Sequence, residues 1–174
     1  LVGEVRDKET AEMAFRAAMT GHQVFTTLHT NSALGAFPRL LDIGIQPDIM
    51  AGNIIGVIAQ RLVRVLCTHC KEAYAPAKEE RQLLGGSAQK VSYLYRSVGC
   101  KQCDSKGYKG RTAIMELLVM DGDLDELVAR RATAKELRAA ALAKDFRPLA
   151  EEGLQRVIDG TTSIAEIART VDLT

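Results

Sequence analysis

Two groups of residues in this chain have the types and spacing for chemistry. Cys67-Thr-His-Cys70 and Cys100-Lys-Gln-Cys103 form a pair of C-x-x-C knuckles separated by residues 71–99. Each knuckle can present two thiolates to one ion, and two knuckles complete the tetrahedral shell that Zn²⁺ prefers. Four sulfurs close that shell, so a zinc ion held there is structural and does not activate water. The spacing exceeds that of the commonest ribbons, so a small inserted lobe has to bring the ends together. Four reduced buried thiols or two redox pairs are the alternatives; His69 could stand in as a ligand, but a solvated histidine of the knuckle is the preferred reading.

The second group comes from two stretches near the start, Leu1-Val-Gly-Glu-Val-Arg-Asp7 and Gly21-His-Gln-Val-Phe-Thr-Thr-Leu-His-Thr-Asn31. A buried strand ending in an acid puts a carboxylate at the carboxyl edge of a sheet, where α/β folds hold ligands. A phosphate-bound Mg²⁺ needs such an acid, directly or through water, and so does an attacking water. A surface acid is the plain alternative. The other stretch is an apolar run that ends in Thr26, Thr27, His29, Thr30 and Asn31. Beside the acid in a parallel sheet, these groups could hydrogen-bond a γ-phosphate or its nucleophilic water. His29 on its own reads as a helix cap or a core residue; next to the acid strand it reads as part of a phosphate site. Arg6, Arg39, Arg61 and Arg64 are candidate phosphate clamps, and Arg6 and Arg39 flank the two polar strand ends. No G-x-x-x-x-G-K-[ST] loop occurs in the sequence. In Gly107-Tyr-Lys-Gly-Arg-Thr112 the glycines stand too close, and Arg111 replaces the lysine.

The elements that must position these groups read as follows. Residues 1–5 end a buried strand, and residues 8–20 form a helix with Ala11, Ala14, Phe15 and Ala18 on one face. Residues 22–28 form a second strand. Asn31 caps a helix running to about Gly44, with Pro38 as a kink or late start. A further helix covers 47–59, and 60–66 returns as a strand. Lysines and Gly85-Gly86-Ser87 mark an irregular insertion between the cysteine pairs, and 110–120 resumes the core as a strand. The remainder is helical, with capping boxes at Asp123–Glu126, Thr133–Glu136 and Ser163–Glu166. The β–α–β–α order predicts an α/β core. It divides the chain into 1–66, 67–107 and 108–174.

Composition excludes several classes. Lys+Arg 23 against Asp+Glu 22 leaves a net charge of +1, so no bulk field draws the chain to nucleic acid or an anionic membrane. Hydrophobic content of 47% with 26% charged is globular and rules out a disordered chain. The longest apolar stretch, 49–59, is interrupted by Asn53 and is too short to span a bilayer. With no signal peptide in view, the expected compartment is the cytosol. Leu1 in place of Met, running straight into a strand, predicts a piece of something longer.

Taken together, the GEVRD and GHQVFTTLHTN boxes, QRLVRVLC, the paired C-x-x-C and GYKGRTAIMELL resemble the C-terminal ATPase region of bacterial secretion motors. The likeness is to the type II secretion ATPase (general secretion pathway protein E) and the type IV pilus extension ATPase. It covers essentially the whole chain. The resemblance implies α/β architecture in the form of a partial RecA-like P-loop ATPase core, with an inserted tetracysteine zinc lobe and a C-terminal helical subdomain. It implies a ring, usually a hexamer, that hydrolyses ATP at subunit interfaces.

By the same resemblance Glu4 corresponds to the Walker B acid, His29 to a γ-phosphate contact, and Arg6 and Arg39 to basic positions around the nucleotide. Glu4, His29 and Arg6 are therefore the expected catalytic residues, and Glu4, Thr27, His29 and Arg39 the expected nucleotide contacts. Cys67, Cys70, Cys100 and Cys103 are the expected ligands of a structural Zn²⁺. Mg²⁺ and ATP belong to the complete protein. Expected partners are further copies in a homo-hexamer and the inner-membrane platform proteins of the secretion or pilus machine, with no nucleic acid. The implied location is cytoplasmic, peripheral to the inner membrane. The P-loop of the family lies upstream, so this stretch alone is expected to be inactive. The rival reading is a zinc-ribbon binding or adaptor module without ATPase activity.

Overall fold

The computed structural model describes residues 1–86 and 91–173. Its helices and strands follow in the order α1 (Lys8–Met19), α2 (Ala36–Ile43), α3 (Pro47–Met50), β1 (Gly56–Leu66), β2 (Glu72–Tyr74) and α4 (Lys78–Leu84). Then come β3 (Leu94–Arg96), β4 (Tyr108–Val119), α5 (Gly122–Ala129), α6 (Ala134–Leu142), α7 (Leu149–Ile158) and α8 (Ile164–Thr170). The chain divides into two compact units, each made of two segments: Leu1–Ala59 with Glu116–Arg147, and Gln60–Met115 with Pro148–Thr174.

In the first unit the expected strands at 1–5 and 22–28 are extended segments, not regular strands. They run side by side in the same direction, with Val2 N–H donating to Phe25 O and Val5 N–H to Thr27 O. Two such bonds do not make a ladder, and Phe25 is exposed. α1 begins where Asp7 accepts from Thr10 N–H at 2.9 Å, satisfying one of the helix's free amides. That cap, with the Thr10 hydroxyl, holds the Asp7 carboxyl below its ordinary value. Of the four apolar positions expected on its inner face only Ala11 is fully buried.

The helix expected from Asn31 starts later, at Ala36 after Gly35, and Pro38 is accommodated in its first turn, where no intrahelical amide is needed. It ends at Gly44, whose φ of 98° suits glycine. The helix expected over 47–59 is a single turn, α3, and the chain from Gly56 onward is already β1. Asp121, not Asp123, caps α5 by accepting from Leu124 N–H at 3.0 Å. The Thr133–Glu136 box forms as read, closing α6 with reciprocal bonds. Leu118, Leu124, Val128, Leu40, Ile45 and Met50 are buried in this unit.

β1 and β4 pair. Met120 N–H donates to Ile55 O at one end of the ladder and Cys67 N–H to Gly107 O at the other, so the strands are antiparallel. β4 alternates strictly at its end, with Ile114, Glu116 and Leu118 buried and Met115, Leu117 and Val119 exposed.

In the second unit the described residues of the insertion between the knuckles form regular elements, in place of the expected irregular stretch. β2 and β3 pair antiparallel, with Glu72 opposite Arg96 and Tyr74 opposite Leu94. Ser87 lies outside the described residues. α7 and α8 bury Val157 and Ile167, and a Cβ on Gly153 would stand 3.0 Å from the Ile167 side chain, so the helices meet closely there. Ser163 caps α8, but Glu166 does not turn back to complete a box. Its side chain crosses to β1 instead, where Oε2 accepts from Arg64 Nε at 2.8 Å and Nη2 at 2.5 Å. Arg64, read as a phosphate clamp, is thus committed to Glu166 and stacks 4.2 Å from the centroid of Tyr108.

Candidate functional site

The first polar cluster forms where the two extended segments of the first unit end together. Thr27 Oγ1 donates to Gly3 O at 2.8 Å, which fixes the register of one segment against the other. That register sets His29 beside Glu4. Glu4 Oε1 pairs with His29 Nε2, and Glu4 Oε2 accepts from Arg6 Nε at 2.6 Å. The carboxylate is 22% exposed, whereas His29 and Arg6 stand in solvent. Oε1 itself is buried and has no conventional hydrogen-bond donor among the described residues apart from this ion pair. A part-buried carboxylate at the end of an extended segment is a suitable ligand for a hydrated cation or acceptor for an attacking water.

The structure therefore brings Glu4, His29 and Arg6 together. Thr27 points its hydroxyl at the backbone of the first segment. Arg39, half-buried on α2, makes no ion pair with any of the three. Sequence reasoning passed over Glu116, which is buried on β4 and accepts from Ala33 N–H, in the loop just past His29, at 2.5 Å. An acid inside the apolar run AIMELLV was the available signal.

The second cluster is the set of four sulfurs, all free thiols. Cys67, Cys70, Cys100 and Cys103 place their Sγ atoms within 4.8 Å of one another. The Cys67–Cys100, Cys70–Cys103 and Cys100–Cys103 pairs stand 4.0, 3.8 and 3.8 Å apart. Metal–sulfur bonds of about 2.3 Å in a tetrahedron give edges of about 3.8 Å, so the set fits a tetrahedral thiolate site. Backbone amides already point at the sulfurs: Gly99 N–H at Cys70 (3.3 Å), Cys100 N–H at Cys103 (3.2 Å) and Gly107 N–H at Cys103 (3.3 Å). Such donors orient thiolates and offset their charge.

Gly99 and Gly107 adopt φ of 117° and 73°, and a Cβ on either would meet Ser105 or Ser97 at 2.6 Å, so glycine is needed for both turns. Burial works to raise the Cys103 thiol, yet the Cys100 and Gly107 amides and the neighbouring thiols outweigh it and bring it down to about 7. Burial, aided by the other thiols, pushes Cys70 up to about 11 against the Gly99 amide. His69 is exposed and outside the cluster.

Residues 1–169 match the family described as Type II/IV secretion system protein. The chain belongs to that family. Members of the Type II/IV secretion system protein family that resemble it include the Type II secretion system ATPase E of Vibrio cholerae, 45% identical over 97% of this chain and 33% of the relative. The Type IV pilus assembly ATPase TfpB of Acinetobacter baylyi is 42% identical over 100% of this chain and 30% of its own length. This chain thus spans about a third of the curated relatives it matches. Among solved structures, the pilus retraction motor PilT with bound ADP aligns at a TM-score of 0.63 and 24% identity, covering 97% of this chain and 39% of that one. The fold is accordingly an α/β ATPase-like one. Among the described residues, no helix is long and apolar enough to cross a membrane.

Proposed function

We propose that this chain is part of a motor ATPase that hydrolyses ATP to drive type II protein secretion or type IV pilus extension. The observation that carries the reading is Glu4, a part-buried acid flanked by His29 and Arg6, in a chain of the secretion-ATPase family. Bound Mg²⁺–ATP would supply the phosphoryl group. Glu4 would hold the metal's water shell or orient the attacking water through its carboxylate. His29 and Arg6 hold that carboxylate in place, and both can turn toward phosphate oxygens because both are exposed. In this reading Thr27 sets the register of the histidine segment and adds a hydroxyl at its edge, while Arg39 brings its charge from α2.

Cys67, Cys70, Cys100 and Cys103 would hold Zn²⁺, and the metal's contribution is to fold the lobe. The functional division follows the segments 1–66, part of a RecA-like core; 67–107, the metal lobe; and 108–174, the returning strand and helical subdomain. The complete protein would work as a homo-hexamer against inner-membrane platform proteins, in the cytoplasm and peripheral to the membrane.

The test is Glu4→Gln in the complete protein. ATP binding should stay within about threefold of wild type while turnover falls by at least ~100-fold, the scale of a lost water-orienting acid. Wild-type turnover in that variant would return the chain to the adaptor reading. This stretch alone, with no G-x-x-x-x-G-K-[ST] in it, should show no ATP turnover.

A further inference from the structure

Glu116 is a buried carboxylate with no place in the site as described so far. It lies within β4 between Met115 and Leu117, and only 4% of it is exposed. Oε1 accepts from Ala33 N–H at 2.5 Å, across 83 positions of sequence. Ala33 is itself fully buried. Burying a carboxylate is costly unless a donor meets it, and a charged acceptor on a backbone amide is among the stronger hydrogen bonds.

The bond falls in the loop that carries His29. The backbone bonds holding the histidine segment to the acid segment end at Thr27. Beyond that point Thr30 N–H turns back on Leu28 O, and Gly35 N–H donates to Ser32 Oγ. α2 then begins without a side-chain cap. The Glu116–Ala33 bond ties the same loop to a regular, paired strand.

We propose that Glu116 is a positioning residue, which through Ala33 N–H sets where His29 stands against Glu4. The proposal rests on the ATPase reading for its kinetic consequence. Its geometric consequence stands independently.

Three variants of the complete protein test it. Glu116→Gln keeps the reach and a carbonyl acceptor but loses the charge; Glu116→Asp keeps the charge but is one methylene short; Glu116→Ala loses both. Hydrogen exchange at the Ala33 amide should quicken at least tenfold in the Asp and Ala variants and stay near wild type in Gln. The ring resonances of His29 should move in the same two variants only. In ATP turnover, kcat should fall about tenfold or more in Asp and Ala with KM for ATP within about twofold, while Gln stays within about threefold of wild type.

Wild-type kcat in the Asp variant together with loss in Gln would mean that charge, not reach, matters, and would overturn the proposal. So would kcat and the folded fraction falling in step in every variant. Should the Ala variant fail to fold, the Asp–Gln contrast decides. Should the wild-type protein turn over no ATP, the proposed function fails, and Ala33 exchange with the His29 resonances still decides whether Glu116 positions the loop.

Discussion

Glu166 is the residue whose surroundings say most about how charge is tolerated inside this chain. Its side chain is fully buried, and both oxygens are covered: Oε1 accepts from Arg64 N–H at 3.0 Å and Arg169 Nη2 at 2.9 Å, and Oε2 from the guanidinium of Arg64. Burial works to raise this carboxyl, but the hydrogen bonds from Arg169 and Arg64 prevail and hold it at about 2, below its ordinary 4.5. In the unfolded chain it titrates near 4.5, so protons favour unfolding between the two values. The stabilisation is therefore complete above about pH 4.5 and drains away as pH falls toward about 2. Glu166→Gln should be less stable than wild type by about 2 kcal/mol near pH 7, less than for a fully enclosed pair because both arginines are partly in water. Denaturant melts from pH 7 downward should show that gap closing below pH 4.5; a gap that widens in acid would refute the assignment.

At the scale of elements, the turn joining α7 to α8 is clamped against the lobe that carries the cysteines. Gly160 sits at φ 69°, its carbonyl accepts from Lys71 Nζ at 2.9 Å, and a Cβ there would lie 2.7 Å from the Tyr95 ring. The same lysine stands 4.3 Å over that ring. Gly160→Ala combines backbone strain with a clash and should cost upwards of ~2 kcal/mol. Gly110→Ala has a similar φ of 81° with nothing within 4 Å, so it isolates the backbone part, about 1 kcal/mol. Equal melting midpoints for the two variants would show that the Tyr95 contact carries no weight.

What was legible at this scale was local. The Thr133–Glu136 box, the extent of α1 and the four-cysteine spacing each depend on residues close together in sequence, and each could be read. The stretch 54–59 could not, because a short apolar run does not reveal its period, and its strand character comes from pairing with the far end of β4. Ser163–Glu166 looked like a capping box because the acid's true partner, Arg64, lies 102 positions away. Glu4 and His29 were legible as two polar strand ends that would meet. That they meet through two backbone bonds, without a ladder, depends on packing that the sequence pattern does not encode.

For the whole molecule, the proposed zinc site makes a quantitative demand. Purified protein should carry about one zinc per chain by elemental analysis, with no thiol open to a disulfide reagent until a chelator is added, after which four should react. The second unit, whose core includes Cys67 and Cys103, should then melt at lower temperature. Metal-free protein with an unchanged melt would show that the sulfurs serve only as packing.

The alternation of β4 carries a consequence of a colloidal kind. Met115, Leu117 and Val119 are each more than half exposed on one strand, and Ile58 and Leu62 are similarly bare on β1. A net charge of +1 gives separate copies almost no repulsion to hold those strands apart. Concentrated solutions of this chain should therefore self-associate through those faces. Added salt, which screens what little repulsion exists and strengthens apolar association, will narrow the usable range further.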